Sequence, residues 1–279
     1  MPPTVAIIAP GSMGAGVGRC LAESKVTVLT SLAGRSETSA ARAREAGMVA
    51  VGDAQIAQAD FVLSIVPPGE ALALARRFAP ILRASNKKTV YVDCNAVNPK
   101  SMTEIADVIA TTGSMFVAAG IIGPPAKPGA KNTKIYASGP AAHDFARLND
   151  YGLVVRVLEG PLTAASALKM SYAGITKGFT ALGAAMMLAA TRGGSAAALK
   201  AELEESQQPL LAWLSRQTPG MYAKAYRWVA ELDEIAGFVG EDHPEHDIFS
   251  AAARFYERMA DDFEGAKEET GALDKFLGR

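Results

Sequence analysis

The residues from Thr4 to Gly18 (TVAIIAPGSMGAGVG) have the composition and spacing to hold a pyrophosphate. A short apolar run leads into a glycine-rich turn and then a helix start. Glycines let the backbone pass close to a phosphate, and the first N–H groups of a helix point at the anion. The pattern departs from G-x-G-x-x-G in having Ala9 at the first position, followed by Gly11 and Gly14. Alanine still permits a tight turn where its φ is negative. On this spacing Gly11 is the point of closest phosphate approach and Gly14 lets the helix pack against the strand. Pro10, Ser12 and Met13 complete the turn. The structural alternative is a glycine-rich helix entry that holds no ligand.

A second group lies about 20 residues further on, at the end of the next strand, where a dinucleotide fold meets the adenosine ribose. An Asp or Glu at this point would accept hydrogen bonds from a ribose 2′-hydroxyl. The segment here is Thr30–Ser36 (TSLAGRS), with no acid before Glu37. Arg35 offers a planar guanidinium to a 2′-phosphate, and Ser36 and Thr38 offer hydroxyls. Ser36 also suits the N-cap of the following helix, a role compatible with phosphate binding. These residues favour NADP over NAD.

The elements that must position these groups alternate. Strands are expected at Val5–Ala9, Lys25–Leu32, Phe61–Val66, Thr89–Val92, Met115–Ala119 and Lys134–Ala137, with helices between them, including Ser36–Glu45, Glu70–Ala79 and Ser101–Thr111. Alternation of this kind implies βαβ units and a parallel sheet covered on both faces. Ligands then sit at the carboxyl ends of the strands, which adds Val66 and Pro67 to the cofactor-facing residues. From Pro161 to Arg192 the chain reads as one long helix of about 30 residues, and everything beyond it as helical. Breaks are expected near Gly193-Gly194, Pro219-Gly220 and Glu241–Pro244. The expected architecture is an N-terminal Rossmann domain over residues 1–160, and an all-α domain over 161–279 that begins with the long interdomain helix.

Composition excludes several classes. An apolar fraction of 49% supports a core and argues against disorder. A net charge of −1 gives no bulk attraction to nucleic acid or anionic membrane. Cys20 and Cys94 do not form a disulfide framework, and neither they nor the three histidines have metal-ligand spacing. No metal is expected. No basic leader precedes the first apolar run, and no uninterrupted apolar stretch is long enough to span a bilayer. A cytoplasmic protein is expected.

Four segments, in order, resemble the β-hydroxyacid dehydrogenase and 6-phosphogluconate dehydrogenase superfamily. Ala9–Gly14 (APGSMG) resembles its cofactor turn, and Asp93–Pro99 (DCNAVNP) its D-x-S-T-x-x-P loop beside the nicotinamide. Phe116–Pro125 (FVAAGIIGPP) resembles its substrate segment D-A-P-V-S-G-G, and Ser166–Lys169 (SALK) its G-x-x-x-K-x-x-x-N run on the interdomain helix. The branch with a distinct helical C-terminal domain is the most similar. The resemblance implies that Lys169 is the general acid/base, with Asn95 beside the nicotinamide. It implies a substrate site at Ile122, Gly123 and Ala173. Tyr172, next to Ala173, could add a hydroxyl, and Lys177, two turns after Lys169 on the same helix face, a second polar group. The alternative for Lys177 is that it snorkels to the surface. It also implies a homodimer formed through the C-terminal helices. Three positions depart from the family: Ala173 replaces its Asn, Ile122 its substrate-segment Ser, and Asn95-Ala96 its loop Ser-Thr. Apolar side chains at two substrate positions imply a bulkier or less polar alcohol or carbonyl compound than a compact hydroxyacid. Imine reduction and dinucleotide binding without catalysis stand as alternatives. Lys169 counts against the first, because most imine reductases carry Asp or Tyr there.

Overall fold

The computed structural model describes residues 2–279. The chain forms two compact units, Met1–Met170 and Ser171–Arg279.

In the first unit eight strands form one sheet: β1 (Thr4–Ile8), β2 (Thr27–Thr30), β3 (Val49–Ala50), β4 (Phe61–Ser64), β5 (Val90–Asp93), β6 (Met115–Ile122), β7 (Lys134–Ser138) and β8 (Val155–Val157). Their order is β3-β2-β1-β4-β5-β6-β7-β8. The first six are mutually parallel; β7 turns back antiparallel to β6, and β8 runs parallel to β7. The connecting helices are α1 (Ser12–Glu23), α2 (Glu37–Glu45), α3 (Asp53–Ile56), α4 (Ala71–Ala84), α5 (Pro99–Ala110) and α6 (Ala142–Ala146). Alternate residues of each strand face opposite layers. Val5 and Ile7 join Val17, Leu21 and Phe145 on one face, while Ala6 and Ile8 join Phe78, Tyr91 and Met102 on the other. Both faces of the sheet are therefore buried, as parallel strands require.

The doubly wound order and the helical second half match the expected fold class. The details differ at several points. Strand β2 starts at Thr27 rather than Lys25, because Lys25 has φ 67°, a left-handed turn conformation in which no strand can run. β3, β8 and α3 were not expected. β3 has two residues, both exposed, and β8 has three, of which one is exposed, too few for period-two alternation to show.

The helix expected over 161–192 is α7 (Ala164–Arg192), and the seam between the units falls inside it. α7 is long and apolar enough to cross a membrane by length and composition alone; 44% of its most apolar window is buried in the protein. The second unit continues with α8 (Ala196–Ser206), α9 (Gln208–Met221), α10 (Ala225–Val239), α11 (Glu245–Glu264) and α12 (Glu268–Leu277). α10 and α11 form an antiparallel pair joined through Gly240–Pro244, where a break was expected. The expected break at Pro219-Gly220 is absent, because Pro219 lies inside the last turn of α9. A proline there forfeits one backbone hydrogen bond, and burial of Leu214, Thr218 and Met221 holds the turn together.

Candidate active site

The site residues of the first unit lie at the carboxyl edge of its sheet. At the end of β1, Gly11 caps α1 without a side-chain hydrogen bond, and no acid stands in the helix's first turn. The N–H groups of Ser12, Met13 and Gly14 have no acceptor within the helix. The two glycines do different work. A Cβ on Gly14 would sit 2.1 Å from the Ala9 carbonyl oxygen, so Gly14 is what lets α1 leave β1 so abruptly. A Cβ on Gly11 would meet nothing within 4 Å, so Gly11 leaves open space above the helix start. An open glycine over unsatisfied N–H groups fits a pyrophosphate.

At the end of β2, Ser36 accepts from Ser39 N at 3.3 Å and caps α2. Thr38 is exposed. Arg35 Nη2 lies 3.9 Å from Glu70 Oε2, on the turn after β4. Arg42, from α2, donates to the Pro10 carbonyl at 3.4 Å and so braces the glycine turn from the adenosine side.

Strands β4 and β5 end in a buried polar cluster. Ser64 and Asp93 are register partners, each wholly buried. Asn95 ties them together: its Nδ2 donates to Ser64 Oγ at 2.7 Å and to Asp93 Oδ2 at 2.9 Å, and its Oδ1 accepts from Val66 N at 2.6 Å. Asp93 Oδ1 also accepts from Asn95 N at 3.0 Å. The Asn95 amide is thus fully engaged within the protein and 3% exposed. It shapes the Val66-Pro67 loop rather than presenting a free group of its own. Burial pushes the Asp93 carboxyl up to about 7, against the lowering effect of its hydrogen bonds from Asn95 and Ser64.

The end of β6 receives α7. Ser138 Oγ donates to Leu162 O at 2.6 Å and accepts from Ala165 N at 3.0 Å, while Ser166 Oγ donates to Val97 O. One turn on, Lys169 Nζ donates to Ile121 O at 3.0 Å. The close approach depends on Gly120: a Cβ there would lie 2.8 Å from Lys169 Cβ and 3.1 Å from Ala165 O. Ile122 is half-buried. Gly123, at φ 128°, packs where a Cβ would come within 2.4 Å of Asn132 O, so no other residue closes the loop before β7. Val66 is thus bonded to Asn95, Val97 to Ser166 and Ile121 to Lys169, three separate contacts at the carboxyl ends of β4, β5 and β6.

The remaining expected residues belong to the second unit. Tyr172 is exposed and Ala173 is buried. Lys177 is also buried: its ammonium pairs with Glu231 and lies 5.2 Å from the Trp228 ring centroid, while Tyr256 OH donates to the Lys177 carbonyl at 2.7 Å. These contacts give Lys177 a structural role in its own helical unit. Gly120, Ser166, Asp93 and Glu70 were missed. A glycine inside an otherwise continuous apolar strand was the available signal for Gly120; Asp93 and Ser166 each open a segment that carries the family resemblance but were not given a role, and Glu70 had no signal. Among the described residues no group of three or more His, Cys, Asp and Glu side chains converges.

Comparison with known proteins agrees with this geometry. Residues 190–259 match a domain of unknown function, DUF1932. No curated protein matches the chain. A conserved protein of unknown function, MTH1747, reported as structurally similar to 3-hydroxyacid dehydrogenases, shares 28% identity over 94% of this chain and 98% of its own, with a TM-score of 0.71. The 3-hydroxyisobutyrate dehydrogenase of Mycobacterium tuberculosis shares 17% over 99% of both chains, with a TM-score of 0.70. An imine reductase from Myxococcus stipitatus, in complex with NADP+, shares 16% over 99% of this chain and 100% of its own, with a TM-score of 0.55. These last two are likenesses of fold. Residues 4–151, more than half of the chain, match the NAD binding domain of 6-phosphogluconate dehydrogenase, and the chain belongs to that family.

Proposed function

We propose that the protein is an NADP-dependent oxidoreductase that moves hydride between the cofactor and an alcohol or carbonyl carbon, with Lys169 as general acid/base. The observation that carries this reading is the Lys169 ammonium, fixed against the Ile121 carbonyl at the carboxyl end of the same sheet whose first turn forms the phosphate cradle. When bound, the nicotinamide supplies or accepts the hydride. The chain's own part is to cradle the pyrophosphate at Gly11–Gly14, hold the β4 loop through Asn95, and move the proton at the substrate oxygen through Lys169 Nζ. In alcohol oxidation the hydroxyl proton passes to neutral Lys169 as hydride leaves the carbon; in reduction both steps reverse.

The preference for NADP rests on Arg35 and on the lack of an acid ahead of it at the end of β2. The apolar Ile122 supports a substrate bulkier or less polar than a compact hydroxyacid. Efficient turnover of 3-hydroxyisobutyrate would refute that part. The test of the whole is fluorescence titration of NADPH and NADH against the wild type and Arg35→Ala, followed by NADPH oxidation across a carbonyl panel with wild type and Lys169→Met. Loss of NADPH affinity in the first variant and of turnover in the second is expected. Cofactor binding with no turnover of any carbonyl compound would favour a dinucleotide-binding protein without catalysis, and turnover of imines alone would favour an imine reductase.

We also propose a homodimer. On α7, Tyr172, Ile175, Phe179, Leu182 and Met186 are all exposed and recur at helical spacing, forming an apolar stripe within the second unit. Phe179→Glu should shift the sedimentation coefficient from dimer to monomer; a wild type that sediments as a monomer at micromolar concentration would reject the dimer.

A further inference from the structure

The Arg35–Glu70 ion pair has a position in the fold that its modest length does not convey. Arg35 is in the loop after β2 and Glu70 in the turn after β4. β1 lies between those two strands in the sheet, and its own carboxyl end is the glycine turn. Neighbouring strands are about 4.8 Å apart, so β2 and β4 are separated by roughly twice that. A pair joining their loops must cross above the end of β1, over the crevice where the adenosine half of a dinucleotide would enter.

The backbone is held at both ends, while the Glu70 side chain is 55% exposed and free to be displaced. Glu70 follows Pro67-Pro68 in a 3-10 turn, and its N–H donates to Pro67 O at 2.9 Å. It is the residue before the first turn of α4, where the helix dipole favours a carboxylate. Arg35 is three-quarters covered, and its N–H is tied back to Leu32 O at 3.0 Å.

We infer that Glu70 is the counter-ion which a ribose 2′-phosphate displaces from Arg35, so that Glu70 sets the affinity for NADP(H) and the margin over NAD(H). The inference rests on the NADP reading above. A 2′-phosphate and the Glu70 carboxylate compete for one guanidinium, and the phosphate must displace a carboxylate that repels it. NADH brings no such anion and gains nothing from the exchange. Glu70 therefore acts on specificity through Arg35, without being required for the pyrophosphate contacts.

The experiment is a set of dissociation constants for NADPH and NADH, by fluorescence titration at fixed ionic strength, in the wild type, Glu70→Gln, Arg35→Ala and the double variant. Glu70→Gln should tighten NADPH about two- to fivefold, the scale of one ion pair near a protein surface, and leave NADH unchanged within error. In the Arg35→Ala background the same substitution should change NADPH less than about twofold. Unchanged or weaker NADPH binding in Glu70→Gln would overturn the inference, as would an equal gain with Arg35 absent. Failure of the NADP reading shows separately: Arg35→Ala would then leave the NADPH-to-NADH ratio where it was.

Discussion

Gly120 and Lys169 are so close that a single methyl group on the glycine would stand 2.8 Å from the lysine's Cβ. The backbone of α7 lies directly on β6 there, and the Lys169–Ile121 hydrogen bond follows from that contact. Gly120→Ala should lift the helix by several tenths of an ångström or more and shift the ammonium from its position. Since misplacement by 1 Å can cost about a hundredfold in rate, we expect kcat to fall by that order while the dissociation constant of the dinucleotide holds. Equal loss of cofactor binding would show instead that the substitution unfolds the unit.

Gly11 and Gly14 should separate stability from binding. Gly14→Ala forces a Cβ to within 2.1 Å of the Ala9 carbonyl and should destabilise the protein by about 1–3 kcal/mol even without ligand. Gly11→Ala meets open space, so the apo protein should melt at the wild-type temperature. Its methyl group would still fill the cradle and weaken dinucleotide binding by about tenfold or more, a loss of about 1.4 kcal/mol or above. Thermal melts with and without NADPH distinguish the two.

Asp93 should make stability depend on pH. Its carboxyl is pushed up to about 7 in the folded protein, against an ordinary value of 3.8. Between those values the unfolded chain has lost the proton and the folded chain keeps it, so the contribution of Asp93 to stability falls as pH rises from about 4 to about 7 and is flat above. Asp93→Asn removes that titration. The stability of the wild type relative to the variant should therefore drop by about 2–3 kcal/mol between pH 5 and pH 8, measured by urea denaturation. A difference independent of pH would mean the buried carboxyl stays ionised.

Lys177 and Glu231 form a largely buried pair, with side chains 10% and 16% exposed. Lys177→Met alone leaves a carboxylate without its partner and should cost about 2–4 kcal/mol. Lys177→Met with Glu231→Leu should recover much of that loss, because apolar replacement of both members removes the uncompensated charge. Under conditions where the single variant remains folded, its KM for a carbonyl substrate should be that of the wild type. A raised KM with normal stability would return Lys177 to the substrate site.

Much of this was legible in the sequence because the relevant signals are local. The glycine turn, the apolar runs of β1, β4 and β5 and the unbroken composition of α7 each announce one element within a dozen residues. The parallel sheet with both faces covered followed from the alternation of strands and helices, whereas its strand order came only from the structure. What stayed hidden depends on distant contacts. Asn95 looked like a group available to the nicotinamide, yet its amide is satisfied by Ser64, Asp93 and Val66, a saturation that only the pairing of β4 with β5 reveals. Lys177 shares a helix with Lys169, but Glu231 lies 54 positions further along the chain. Pro219 read as a break because its local penalty is visible, whereas the burial of Thr218 and Met221 that outweighs it is not.

The hydrogen bonds of Ser138, Ser166 and Lys169 stitch the first two turns of α7 to the sheet before the helix passes into the second unit. The seam for recombination is consequently in mid-helix, not in a loop. A chimera that exchanges helical modules with a relative after Met170 would carry Lys169 and its fastenings over intact. A crossover at Gly160, at the more obvious turn, would instead import a foreign lysine onto a strand whose glycine was fitted to another helix.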